Sequence, residues 1–199
     1  MITRKEMTRM LLKEGLLSCL ANNSFESVTV TSLCKASGIT RSTFYLHYSN
    51  IMEIVDDLVD DAIAYSKPGM VDNNNLQTIA NTLSAASNSV LLREAYDSIF
   101  DRLPLCQRII RHKKYLPLFL DEQISEYVLQ RIIGREKDRQ GLVMAESLGV
   151  SFDVGVSVFV FLVHGLYAVN KQYKWSQSDE WLEAQKTIFE LVYRGLQSR

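Results

Sequence analysis

The sequence predicts an all-α protein. Apolar residues recur at spacings of three and four along most of the chain, helix-capping residues stand ahead of the apolar runs, and no segment alternates as a strand for more than a few residues. The strongest interruption is Tyr65 to Asn75 (YSKPGMVDNNN), where a Pro-Gly pair is followed by three asparagines. It divides the chain into an N-terminal domain over 1–66, a linker over 67–75 and a larger C-terminal domain over 76–199.

The elements follow in order. Thr3 and Glu6 form a capping box that opens a helix over about 4–21, with Met7, Met10, Leu11, Leu17 and Leu20 available to bury one flank. Asn22-Asn23-Ser24 ends it, because asparagine tolerates the backbone conformations found at helix ends. Thr29 caps a short helix with Val30, Leu33, Cys34 and Ser37 at helical spacing, and Gly38 breaks it. Ile39 plugs the corner, and Thr40 caps the next helix, over about 41–47. Asn50 with Glu53 opens a fourth helix to about Ala64, carrying Ile54, Val55, Leu58, Val59 and Ala62 inward. Beyond the linker the pattern predicts helices over 76–100 with a break near Asn88, then 104–114, 116–137, 151–174 and 178–197. The stretch 139–150 receives no assignment.

Composition narrows the class. Of 199 residues, 47% are hydrophobic and 23% charged, which supports a folded core and excludes intrinsic disorder. Three cysteines, Cys19, Cys34 and Cys106, with no CxxC pair indicate neither a disulfide framework nor a thiolate metal site, and a reducing cytoplasm is expected. Lys13 and Glu14 interrupt any signal-peptide core. The most apolar run, 154–169, contains Ser157 and His164 and falls short of the roughly 20 residues of a membrane span, so it is expected as a buried helix and no membrane partner is expected. The histidines, His47, His112 and His164, are far apart, and HExxH, GxSxG, P-loop and GxGxxG patterns are all missing. The expectation is therefore a protein that is not an enzyme, with no catalytic residue, metal site or cofactor.

Charge is segregated. Residues 1–50 carry six basic side chains (Arg4, Lys5, Arg9, Lys13, Lys35, Arg41) against three acidic ones, whereas 51–72 carry six acids against Lys67 alone. A basic head on a nearly neutral chain points a polyanion toward the first fifty residues. The helix after Gly38 reads Arg41-Ser42-Thr43-Phe44-Tyr45-Leu46-His47-Tyr48. Phe44 and Tyr48, four apart, anchor one flank, leaving Arg41, Ser42, Thr43, Tyr45 and His47 outward. Short hydroxyls, an Arg, a Tyr and a His suit base edges and phosphate oxygens in a DNA groove.

Thr29 to Tyr48 (TVTSLCKASGITRSTFYLHY) resembles the helix-turn-helix signature of TetR-family transcriptional regulators, and the likeness extends over roughly the first 64 residues. The resemblance implies that Arg41, Ser42 and Thr43 approach bases in the major groove of a double-stranded DNA operator. It gives Tyr45, His47 and Tyr48 phosphate contacts and packing, and brings the helix N-termini at Thr29 and Thr40 to phosphates. Arg4 and Lys5 stand where N-terminal extensions touch the DNA backbone. Two positions depart from the family pattern: Ile51, where a phosphate-binding Lys is common, and Ser24, where Gly usually precedes the aromatic.

The helix over 151–174 is apolar nearly all round and must be covered on both sides. With the last helix it resembles the pair through which the family forms a homodimer, with Phe159, Leu162, Leu166, Trp181, Ile188 and Val192 at the interface. Paired recognition helices one DNA turn apart would read a palindrome. The resemblance also implies a pocket for an unidentified small-molecule effector, with Arg108, His112, Tyr115, His164 and Tyr167 as candidates. A solvated basic face is the stronger reading of Arg108 to Tyr115, and a packed, hydrogen-bonded residue that of His164. The competing function is a helical dimer that binds a small molecule or protein and has weak or lost DNA binding, for which Ile51 is the support.

Overall fold

The computed structural model describes residues 3–66, 75–103, 107–108 and 113–197. Among them every regular element is helical. We number α1 (Arg4–Asn22), α2 (Val30–Ser37), α3 (Arg41–Tyr45), α4 (Ile51–Ser66), α5 (Asn75–Ser84), α6 (Ser89–Ser98), α7 (Leu116–Leu120), α8 (Ser125–Leu148), α9 (Phe152–Gln172) and α10 (Asp179–Gln197). The chain divides into two compact units, 1–65 with 109–134 and 66–108 with 135–199, so the first unit takes in a stretch that the sequence places in the domain over 76–199.

In the first unit, α1 packs on α2 and α7, and α2 on α3. Thr3 and Glu6 close their capping box, Glu6 N–H donating to Thr3 Oγ1 at 3.2 Å and Thr3 N–H to the Glu6 carboxylate at 2.7 Å. The buried face of α1 is Thr8, Leu12, Gly15, Leu16, Leu17 and Leu20. Met7, Met10 and Leu11, expected in that flank, are 42%, 40% and 39% exposed. The correction has a steric origin: α1 meets α2 at Gly15, where a Cβ would lie 2.0 Å from Ser37 Oγ, and that crossing fixes which side turns inward. All five apolar positions named for α4 are buried.

The helix expected over 116–137 is interrupted. Asp121 breaks the trace at φ −72°, ψ 122°. Its carboxylate accepts from the amides of Gln123 (3.0 Å), Ile124 (3.1 Å) and, 96 residues away in sequence, Phe25 (2.6 Å). α8 then continues through the stretch left without an assignment. Most of the helix expected over 104–114 lies outside the described residues.

The second unit holds an apolar cluster built on Ile79, Leu83, Leu92, Tyr96, Ile99, Leu103, Leu166, Trp181, Leu182 and Phe189. Asn88 caps α6 by accepting from Leu91 N–H at 2.9 Å, where the break was expected. Within the core a polar chain runs from Tyr96 Oη to Gln107 (2.7 Å) and from Gln107 Nε2 to Gln185 (2.5 Å). Trp181 Nε1 donates to Asn170 Oδ1 at 2.8 Å. Such groups are tolerated in a core because they satisfy one another. α9 ends two residues earlier than expected, where Lys174 and Trp175 adopt left-handed φ of 49° and 58°. The edge of Trp175 against Tyr167, 5.4 Å between centroids, helps to hold that turn.

Within the single chain α9 is covered on one side only. It is long and apolar enough to cross a membrane, and 28% of its most apolar 18-residue window is buried. Its exposed residues Val154, Ser157, Phe161, Gly165 and Ala168 recur every three or four positions, forming one stripe.

Candidate nucleic-acid interface

Two short helices and the turn between them carry the candidate surface. Thr29 caps α2, accepting from Ser32 N–H at 3.1 Å while Ser32 Oγ accepts from Thr29 N–H at 2.9 Å. Gly38 ends α2 at φ 65°, ψ 26°, a left-handed conformation that strains a residue with a side chain. Thr40 caps α3 by accepting from Thr43 N–H at 3.2 Å. Both threonine hydroxyls are thus engaged in capping, and both residues are exposed.

α3 has two dissimilar flanks. Phe44 is fully buried and Tyr48 is 3% exposed. Arg41 and Ser42 are exposed, Tyr45 is 52% exposed and Thr43 is half-buried. The Tyr45 ring stands edge-on to Phe44, centroids 5.1 Å apart, so the buried aromatic steadies the exposed one. His47 is half-buried with its Nδ1 shielded from solvent, which removes that atom from the outward set. Tyr48 leaves the set altogether. Its hydroxyl donates to Asp57 at 2.5 Å and accepts from Arg9 Nε at 3.2 Å, and the Arg9 guanidinium lies 5.0 Å over its ring. Leu46, which the sequence did not nominate, is 81% exposed.

The basic head is smaller than composition suggests. Arg9 pairs with Asp57 and Lys13 with Asp61, so two of its six cations are neutralised by α4. Arg4, Lys5, Lys35 and Arg41 are exposed. Asp56 accepts from Tyr127 Oη at 2.6 Å and pairs with Arg131 at 3.4 Å. The acidic run of α4 is therefore largely internal wiring of the unit. Ile51 is half-buried at the start of α4.

Burial pushes the Asp57 carboxyl up, but hydrogen bonds from Tyr48 and Arg9 outweigh it and hold it below the usual carboxylate range. Burial, followed by the Asp57 hydrogen bond, raises the Tyr48 phenol well above its ordinary value. A carboxylate depressed in the folded state stabilises fully above its unfolded value of about 4, and that stability is lost as pH falls through the folded value. Asp57→Asn should cost about 1 kcal/mol at neutral pH, allowing for solvent screening of partly exposed partners. It should also flatten the decline of thermal stability below about pH 4. Melting curves between pH 2 and 7 test this, and an acid slope equal to wild type would remove Asp57 from the account.

The candidate effector residues do not converge on one described site. Tyr115 is buried and belongs to the first unit, whereas Arg108, His164 and Tyr167 belong to the second. Arg108 is 5% exposed and donates through Nε to Leu103 O at 2.9 Å. Tyr167 is buried, His164 is half-buried, and His112 lies outside the described residues. A cleft of about 510 Å³ in the first unit is lined by Glu6, Met10, Lys13, Glu14, Leu58, Asp61 and Lys114, none of them nominated. Its cations are committed: Lys13 to Asp61, and Lys114 to Glu14 at 2.5 Å.

The interface candidates divide as well. Phe159, Leu166 and Trp181 are buried within the single chain, Leu166 and Trp181 inside the core cluster, and are unavailable to a partner. Leu162, Ile188 and Val192 are half-buried. Phe161 on α9 and Leu191 on α10 are each 72% exposed; Phe161 was not singled out, because an all-round apolar helix gives no signal of which side its own domain covers. Among the described residues no cluster of His, Cys, Asp and Glu could hold a metal ion. Comparison with known proteins found no matching family model, no matching curated protein and no matching solved structure.

Proposed function

We propose that this chain is a TetR-like, ligand-responsive transcriptional regulator of the cytoplasm that binds a palindromic DNA operator as a homodimer and acts as a repressor. The observation that carries the reading is the division of α3 and the turn that follows it: Phe44 and Tyr48 are buried, while Arg41, Ser42 and Tyr45 face outward beside a glycine turn. A helix-turn-helix needs such an arrangement, since the anchored flank fixes the angle at which the polar flank enters the groove. Exposed Arg4, Lys5 and Lys35 on the same unit supply phosphate contacts. Effector binding in the second unit releases DNA by favouring a second spacing of the two heads, which needs about 1 to 3 kcal/mol of coupling.

Selection of duplex DNA by the purified protein at fixed salt tests the reading, with an inverted repeat as the expected product. On that duplex Arg41→Ala should weaken binding by about 1 to 3 kcal/mol and relax preference at one base pair per half-site, as loss of a bidentate guanine contact does. A folded Arg41→Ala protein with unchanged affinity and preference would take Arg41 out of the interface.

A further inference from the structure

We infer that Leu46 is a specificity-determining residue that reads the 5-methyl group of a thymine, an inference that rests on the proposed operator binding. At 81% exposure Leu46 is the most exposed of the large hydrophobic side chains described. It directly follows α3, with φ −75° and ψ −17°, and its amide donates to Thr43 O at 3.2 Å, so it extends the helical trace by one residue. Four residues from Ser42, it shares that residue's face. The neighbouring exposed groups, Arg41, Ser42 and the Tyr45 hydroxyl, have polar partners on a duplex, in base edges and phosphates. Leu46 has none of those to make. The groove edge of a base pair offers one apolar group, the thymine methyl, and aliphatic side chains meet it there.

The spacing sets the register. Four helical residues rise about 6 Å, close to two base-pair steps of about 3.4 Å. With α3 along the groove, the thymine lies about two base pairs from the position contacted by Ser42, once in each half-site. Because the contact is apolar, it adds preference without adding to the salt dependence, which counts phosphate contacts alone.

Replacing each thymine of the selected duplex in turn by deoxyuridine removes the methyl and leaves the hydrogen-bonding edge intact. Wild type should lose about four-fold in affinity at one position per half-site, the value of one buried methyl-sized group. Leu46→Ala should bind the unmodified duplex more weakly and show no loss at that position, while Leu46→Met should retain the discrimination. All three should melt at the same temperature, because Leu46 packs on little of its own chain, and should share one salt slope. A deoxyuridine penalty undiminished in Leu46→Ala, or no responsive position in wild type, overturns the assignment while operator binding stands. Selection of no duplex at all by wild type overturns operator binding and the assignment together.

Discussion

Gly155→Ala should destabilise the protein by about 2 kcal/mol, although the same exchange in an open helical position gains up to about 1 kcal/mol. α8 and α9 approach each other through Gly141, Ala145 and Gly155. A Cβ built at Gly155 would lie 2.3 Å from Gly141 O, 2.7 Å from Ala145 N and 2.9 Å from Ala145 Cβ. The first two are backbone atoms of the facing helix, so no rotamer change relieves the overlap and the helices must separate. Gly134, in α8, has nothing within 4 Å of such a Cβ. Gly134→Ala is therefore the control, expected to hold or raise the melting temperature. For a chain of this size the Gly155→Ala loss corresponds to a fall of roughly 4 to 8 °C. Equal melting temperatures for the two variants would show that the close crossing does not exist in solution.

What could be read from the sequence was local chemistry. Thr3 with Glu6, Thr29 and Thr40 announce helix starts because a cap and the amide it satisfies lie within three residues of each other. The two flanks of the segment over 41–48 were legible for the same reason: Phe44 and Tyr48 are one turn apart, so the two aromatics can anchor the same side. The rest depends on residues distant in sequence. Asp121 interrupts a helical pattern partly by holding the Phe25 amide, and no window around Asp121 contains Phe25. Arg9 counts toward a basic head until Asp57 is found beside it. Tyr48 has the composition of a phosphate ligand, yet its hydroxyl is already shared between Arg9 and Asp57. On α9, Phe159 and Phe161 are indistinguishable by type, and α9 packing within its own unit leaves one 8% and the other 72% exposed.

The second large effect concerns that exposed side. On the proposed operator-binding homodimer, Phe161→Glu combined with Leu191→Glu should give a monomer in sedimentation and abolish high-affinity operator binding while leaving the fold intact. Both side chains stand in solvent in the single chain, so their removal leaves no cavity, in contrast to Leu166→Glu, which would place a charge in the core at a residue 2% exposed. A two-fold interface presents each substitution twice, so the double variant removes four apolar side chains from the dimer. At about 1.5 kcal/mol or more apiece, that raises the dissociation constant by at least four orders of magnitude. Operator binding falls with it, because two half-sites bound by one rigid dimer become two independent weak events. A double variant that still sediments as a dimer would move the interface off these two residues. Because α9 has the length and apolarity to cross a membrane, flotation with phosphatidylcholine vesicles is the companion measurement. Wild type that floats with the vesicles and sediments as a monomer in their absence would assign the Phe161 stripe to lipid and withdraw the dimer.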